Sequence, residues 1–247
     1  MDLILSFEVL ALAVVVVFVA YVVFGVTGFG ASPITVPLLA YLFPLTFVLP
    51  LTGILDLASA VALGIHTRRQ AIRKELLVLV PFTLLGLVLG VTLLIHLPRA
   101  VALRALGAFV CAYALYVIVP RETRGPIGRG WAAPAGISGG VLGALFGVGG
   151  PPYVMYLAGR VTDPAAQRAT ISQMVIVSVG MRVVAFAIAG LLSRWAVWVA
   201  AMFLVPAAWA GVWIGHRVHA RASPAVAARM IGAALFLTGA GLLLRTF

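Results

Sequence analysis

Two charged side chains lie deep inside apolar stretches of the chain, where an ionisable group is costly. Asp56 stands near the middle of the apolar segment 45–66, and Arg182 stands well inside the segment 165–191. Charges at membrane depth usually face a partner or a cavity, and they often mark the path of an ion or a proton. We therefore expect Arg182 to bind a substrate anion, and Asp56 to bind a proton or to balance the charge of Arg182. A salt bridge that only holds two helices together is the alternative interpretation.

A glycine motif occurs twice in the chain. Phe-Gly-Val-Thr-Gly at 24–28 recurs as Phe-Gly-Val-Gly-Gly at 146–150, and a proline follows each copy, at Pro33 and at Pro151. Proline suits the first turn of a helix, and a helix N-terminus has free N–H groups and a partial positive charge that favour an anion. The motif thus predicts two helix N-termini that face each other at an anion site. The alternative is that these glycines only allow close helix packing.

Matching positions after the two motifs add neutral hydrogen-bonding groups. Thr52 falls opposite Ser172 and Gly53 falls opposite Gln173, whose amide can donate to an oxyanion without adding charge. Asp56 is predicted to be a coupling or charge-balancing group. The predicted substrate-binding residues are Gly28, Gly30, Ser32, Pro33, Thr52, Gly149, Gly150, Pro151, Gln173 and Arg182.

The elements that position these residues are predicted to be helices, because crossing the hydrocarbon layer takes about 20 apolar residues. Both halves of the chain repeat one order, which is a long segment, a short one and three long ones. We expect an all-α integral membrane protein in which each short segment is a broken or re-entrant helix, with its glycine loop lining a cavity. The long segments are 3–29, 45–66, 74–97, 99–119, 131–149, 165–191, 194–215 and 224–244, and the short ones are 33–43 and 151–159.

The distribution of Lys and Arg predicts that the two halves have opposite orientations in the membrane. If each short segment ends on the opposite face, twelve basic residues share one face and four the other, whereas parallel halves give nine against seven. Cytoplasmic loops carry the excess of Lys and Arg, so inverted halves with both termini outside are favoured. The predicted divisions are a first repeat at 1–123, a basic cytoplasmic linker at 124–130 and a second repeat at 131–247.

Composition excludes several classes of function. The chain has 247 residues, of which 64% are hydrophobic and 9% charged, far more apolar than a soluble core requires. Its net charge of +11 comes from scattered residues, so no nucleic-acid partner is expected. The single cysteine, Cys111, excludes an intramolecular disulfide and a cysteine metal cluster, and no ATP-binding loop is present. We expect no cofactor, no metal and no catalytic residue.

The residues around the glycine motifs resemble the signatures of a known family. The stretch from Gly25 to Gly30 with Pro33, the stretch from Gly139 to Pro152, and the basic connection from His66 to Lys74 are similar to the sulfite exporter TauE/SafE family, a branch of the toluene sulfonate uptake permeases. The resemblance covers nearly the whole chain. It implies a multi-pass permease of the bacterial inner membrane with two repeated halves, which moves sulfur-containing anions such as sulfite or organosulfonates.

The function expected from the residues and the resemblance together is secondary transport of a small anion by alternating access, with protons coupled through Asp56. The alternatives are a permease for a carboxylate or another small metabolite, an anion channel, and an intramembrane enzyme. An enzyme is disfavoured because clustered carboxylates or histidines for acid–base chemistry are missing from the spans. The sequence does not determine the substrate, the direction of transport or the coupling ion. It also leaves the oligomeric state open, with a homodimer among the alternatives.

Overall fold

A computed structural model describes residues 7–27, 30–64, 70–118, 125, 127–218 and 224–246. Within these ranges the chain forms ten α-helices and no β-strand, which confirms the expected all-α architecture. A 3₁₀ turn, Arg129–Trp131, precedes the sixth helix. The helices are α1 (Phe7–Thr27), α2 (Ser32–Ala40), α3 (Leu45–Gly64), α4 (Arg73–His96), α5 (Arg99–Ile118), α6 (Ala132–Phe146), α7 (Gly150–Ala158), α8 (Pro164–Ile188), α9 (Trp195–Val218) and α10 (Pro224–Thr246).

The long helices have the length and polarity of membrane spans. Among the described residues, α1, α4, α5, α8 and α9 are long and apolar enough to cross a membrane. Their outward faces carry large apolar side chains, such as Leu77 at 71% exposure and Met202 at 65%. Polar side chains such as Thr52 and Arg182 are instead buried inside the bundle. This distribution fits a lipid surround, which leaves polar groups to the interior.

The sixth helix is shorter than the predicted segment 131–149. α6 has 15 residues, a rise of about 22 Å, and it ends at Phe146 because Gly147 adopts a left-handed backbone with φ of 75°. The Gly147 N–H donates to the Gly143 carbonyl at 3.1 Å. A left-handed glycine in this position satisfies the last carbonyls of a helix and stops it. The chain therefore breaks at the second copy of the glycine motif.

Two short helices, α2 and α7, begin directly after the glycine breaks and have nine residues each. Prolines occupy the first turn of both helices, where a fixed φ and a missing N–H are tolerated. α2 also contains Pro37, which removes a helical hydrogen bond, and Pro44 follows its end. The two predicted short segments are thus present as separate helices.

The long helices of each half pack mainly against long helices of the other half. α1 packs along α9, while α6, its counterpart in the second half, packs along α4, the counterpart of α9. α5 packs along its own counterpart, α10, and α3 along α8. A two-fold relation between the halves produces such a pattern. The opposite orientation of the halves in the membrane stays a prediction.

Glycines bring the paired helices into close contact. At the α1–α9 seam, a Cβ on Gly25 would lie 2.5 Å from the carbonyl oxygen of Val212, and one on Gly211 would lie 2.6 Å from that of Phe18. At the α4–α6 seam, a Cβ on Gly140 would overlap the backbone of α4. Small residues allow membrane helices to approach this closely. Gly25, the first glycine of the repeated motif, therefore matches the packing interpretation rather than a chain break.

Candidate functional site

A cavity of about 150 Å³ lies between α1, α2, α3, α5, α6, α7 and α8. It is bounded by the starts of both short helices and by the middle of α3 and α8. Most of the residues that the sequence singled out for a site come together here. Those that line the cavity are Gly30, Ser32, Pro33, Asp56, Gly149, Gly150, Pro151 and Arg182.

Asp56 and Arg182, 126 positions apart in the chain, form an ion pair in the wall of this cavity. Arg182 Nη2 donates to Asp56 Oδ2 at 2.9 Å. The exposed fraction of the Arg182 side chain is 3%, and that of Asp56 is 14%. Both ends of the pair therefore depend on each other, because an isolated charge at this depth would be strongly unfavourable.

Two hydroxyl groups complete the surroundings of Asp56. Tyr21 Oη on α1 donates to Oδ1 at 2.7 Å, and Ser32 Oγ at the start of α2 donates to Oδ2 at 2.5 Å. Asp56 Oδ2 thus accepts from both Ser32 and Arg182. The carboxylate of α3 is consequently tied to three other helices, α1, α2 and α8.

Arg182 is held by fewer contacts than its five N–H groups allow. Nη1 donates to the Gly143 carbonyl on α6 at 3.1 Å, whereas Nε is buried without a hydrogen-bond partner in the described part of the chain. Gly53 lies beside the guanidinium, and a Cβ there would be in ordinary contact with Nε at 3.7 Å. The guanidinium therefore keeps donor capacity that its present partners do not use.

The two glycine breaks meet beside this ion pair. A Cβ on Gly147 would lie 2.8 Å from Ser32 Cβ, so the second break packs directly on the start of α2. The breaks differ in geometry, however. The left-handed residue of the first is Gly30, with φ of 89°, and it lies after the repeated motif, whereas Gly147 lies within it. The two copies of the motif are therefore not equivalent in backbone conformation.

The start of α7 offers few backbone donors to the cavity. Pro151 and Pro152 follow Gly150 in its first turn and have no N–H group. The donors nearest this end are the N–H groups of Gly149 and Gly150, both of which line the cavity. The start of α7 lies at the cavity, and its prolines limit how many N–H groups it presents there.

Three predicted site residues are not part of this cavity wall as described. Thr52 is fully buried, and its hydroxyl donates to the Leu49 carbonyl at 3.2 Å, a bond to its own helix. Gln173 is buried on α8, and the described lining does not include it. Gly28 lies outside the described residues.

Sequence reasoning missed the tyrosines and one serine of the site. Tyr113, Tyr116, Tyr153 and Ser178 line the cavity, and Tyr153 Oη lies 3.2 Å from Ser178 Oγ. Ser178 stands four residues before Arg182 on α8, so it shares a helix face with it. That spacing was a usable signal. The tyrosines gave none, because tyrosine is common in membrane helices wherever one edge of the ring meets a polar group.

A second charged cluster, formed by Glu75, Tyr156, Arg160 and Arg129, was also missed. Glu75 lies in the first turn of α4 and is 5% exposed. Its carboxylate accepts from Tyr156 Oη at 2.7 Å and from Arg160 Nη2 at 2.9 Å, while Arg129 Nη2 lies 3.8 Å away. The hydrogen bond that Arg160 donates to Glu75 raises the pKa of Arg160, so this guanidinium stays charged. The cluster fastens the end of α7 to the start of α4.

The comparison with family models identifies the family of the chain. Among the described residues no three His, Cys, Asp or Glu side chains group as metal ligands would. No curated protein and no solved structure matches the chain. The family model described as sulfite exporter TauE/SafE matches residues 13–242, nearly the entire length. With its polar cavity inside an apolar bundle of helices, the chain belongs to the sulfite exporter TauE/SafE family of membrane transporters.

Proposed function

We propose that the protein is a secondary transporter that carries a small oxyanion, sulfite or an organosulfonate, by alternating access to its cavity. The observation that carries the proposal is Arg182, a guanidinium buried within a long apolar helix and lining a cavity. Its salt-bridge partner among the described residues is Asp56. A guanidinium presents a planar fork of N–H donors that suits the oxygens of an oxyanion.

We propose that the substrate replaces Asp56 as the partner of Arg182. Asp56 would then hold an uncompensated charge, which is costly at this depth. A proton on Asp56 removes that charge. The site is then neutral in both states: without substrate, the Asp56 carboxylate balances Arg182, and with substrate, a monovalent anion balances Arg182 while Asp56 is protonated. Proton coupling follows from this charge balance, with a proton accompanying each monovalent anion.

Release of Asp56 also frees a second donor. Ser32 and Arg182 share Asp56 Oδ2 as acceptor, so protonation of that carboxylate leaves both groups available to the anion. Ser32 begins α2, and Gly147 of the other break packs on it. Substrate binding would therefore change the contacts of the start of α2 and of the second break at the same time, as alternating access requires.

We propose further that residues 1–123 and 131–247 are repeats inserted in opposite orientations, joined by a cytoplasmic linker at 124–130. The exchange of helix partners between the halves and the excess of Lys and Arg on one face support this arrangement. Placement in the bacterial inner membrane, with both termini in the periplasm, rests on the family and on that charge distribution.

Uptake into proteoliposomes tests the proposed function. Labelled sulfite, ethanesulfonate and acetate are offered to the purified protein, with and without a pH gradient. We expect saturable uptake and counterflow of the sulfur anions, stimulated by the pH gradient. Non-saturable flux without counterflow would indicate a channel, and uptake of acetate alone would indicate a carboxylate permease.

Variants of the same helix supply the control for this experiment. R182Q should abolish uptake, whereas R168A, which changes an exposed arginine about four turns earlier on α8, should leave it unchanged. The double variant D56N/R182Q removes both charges and thus avoids an unpaired one. If that variant folds and still transports sulfur anions at the normal rate, Arg182 does not bind the substrate.

A further inference from the structure

Tyr113 on α5 has a polar group that the fold does not use. The residue is 6% exposed and lines the cavity. Within the described part of the chain, its hydroxyl makes no hydrogen bond, and its ring stacks on those of Phe109 and Tyr116. Buried hydroxyl groups nearly always find a partner, so an unpaired one beside a cavity points to a partner that enters the cavity.

The Tyr113 hydroxyl still reaches open space. Side-chain atoms that are fully buried and lack a partner, among the described residues, are Ser59 Oγ, Thr83 Oγ1, Arg160 Nε and Arg182 Nε. The Tyr113 hydroxyl also lacks a partner, but it is not fully buried. Since the residue is almost wholly enclosed, the space that its hydroxyl meets is the cavity.

A row of stacked rings fixes the position of Tyr113. Its ring centroid lies 6.0 Å from that of Phe109 and 5.9 Å from that of Tyr116, with interplanar angles of 15° and 13°. Phe109 in turn stacks on Phe146, the last residue of α6, at 4.7 Å. A hydroxyl held by such packing loses little rotamer freedom on binding, so it can contribute to affinity and specificity.

Tyr113 and Arg182 are held at the cavity by different contacts, both of which lead to the end of α6. Arg182 is anchored to Gly143, one turn before Phe146 on α6, and Tyr113 stands two ring spacings from Phe146 along the row. Apolar side chains supply much of the remaining wall, including Val154, Ile171 and Val175. Such a wall offers nothing to a bare inorganic ion, but it suits a hydrocarbon segment.

We infer that Tyr113 is a specificity-determining residue, whose hydroxyl hydrogen-bonds a polar substituent on the organic part of an anion held by Arg182. This inference rests on the proposed function and narrows its substrate class. The substrate is an organic oxyanion with a hydroxyl or similar group at the far end from its charge. Arg182 binds the charged head, the apolar wall contacts the carbon chain, and the Tyr113 hydroxyl hydrogen-bonds the substituent at the far end.

Pairs of sulfonates with and without a terminal hydroxyl test this inference. The probes are ethane-, propane- and butanesulfonate and their ω-hydroxy derivatives, with binding measured by calorimetry on the purified protein. For the chain length that spans the site, the hydroxylated member should bind about fivefold more tightly, the gain of one neutral hydrogen bond. Y113F should remove that preference while leaving the affinity for the plain alkanesulfonate within about twofold.

Tyr116 supplies the matched control, because it lies one turn further along α5 and lines the same cavity. Y116F should keep the preference. The inference is overturned if no hydroxylated probe is preferred by the wild type, if Y113F retains the preference, or if Y116F alone loses it. Failure of the proposed function gives a different result, in which wild-type protein binds none of the sulfonates nor sulfite.

Discussion

Asp56 accepts hydrogen bonds from Tyr21, Ser32 and Arg182, so its charge is compensated by groups on three other helices. The position of each charge could be predicted from the sequence, because Asp and Arg are conspicuous in apolar segments. Their pairing was also among the expectations, as charge balance or as a salt bridge, because a charge at this depth needs a partner. The sequence could not show which atoms meet, since the two positions are 126 residues apart. The hydrogen bonds that Ser32 and Tyr21 donate to Asp56 could not be predicted. A serine in a helix usually bonds its own backbone, and the partner of a buried tyrosine hydroxyl depends on which helix packs beside it.

Removing one member of the pair should destabilise the protein more than removing both. D56N or R182Q alone leaves a buried charge without its partner, and each should lower the free energy of unfolding by about 3–5 kcal/mol. D56N/R182Q keeps the shape and removes both charges, so its stability should approach that of wild type. Thermal unfolding of the detergent-solubilised protein measures this, with R168A as the unchanged control. A loss in the double variant equal to the sum of the two single losses would show that the two residues do not act as a pair.

The repeated glycine motif predicted the existence of two helix breaks and the short helices after them. It did not predict their geometry. Gly25 packs against α9 inside a helix, whereas Gly147 at the matching position ends one. Local sequence cannot distinguish these roles, because a glycine permits both close packing and a left-handed turn, and the neighbouring helix decides which is used.

Two left-handed glycines make a matched test of the break at Gly147. Gly147 and Gly190 have φ of 75° and 73°, but only Gly147 has neighbours within contact distance of an added Cβ, chiefly Ser32. G147A and G190A should both lose roughly 1–2 kcal/mol of stability from backbone strain. G147A should in addition lose stability through the clash with Ser32, and uptake with it, while G190A should transport normally. Normal uptake by G147A would show that contact between the breaks is not required.

The fastening of α7 to α4 should depend on one arginine much more than on the other. Arg160 bonds Glu75 at 2.9 Å, whereas Arg129 lies 3.8 Å away with its side chain 61% exposed. We expect R129A to change the free energy of unfolding by less than about 1 kcal/mol, as exposed pairs do. R160A leaves the buried Glu75 without its close partner and should cost clearly more. Thermal unfolding of the two variants compares them, and a larger effect of R129A would contradict this assignment.

At the scale of the whole molecule, large apolar side chains face outward, and polar side chains within the spans, such as Thr52 and Arg182, are buried. The high hydrophobic content made this architecture predictable, because no soluble fold needs so much apolar surface. The pairing of α1 with α9 and of α4 with α6 was not predictable. It depends on which glycines meet across a seam, and the chain has 26 of them. The orientation of the halves follows from charge counting and needs a direct test.

Cysteine labelling distinguishes inverted from parallel halves. R99C, R129C, R168C and R194C place single thiols at exposed positions in a C111A background. In intact cells treated with a membrane-impermeant thiol reagent, we expect labelling at positions 99 and 194 and none at 129 and 168. Parallel halves would instead give labelling at positions 99 and 168, because positions 168 and 194 would then exchange faces of the membrane.

The central claim is that Arg182 binds the anion that is transported, and equilibrium binding tests it most directly. Calorimetric titration of ethanesulfonate into wild-type protein should give saturable binding, accompanied by proton uptake detected as a dependence of the heat on the ionisation enthalpy of the buffer. D56N/R182Q, which keeps the fold without either charge, should show no binding. Undiminished binding of ethanesulfonate by that double variant would contradict the claim.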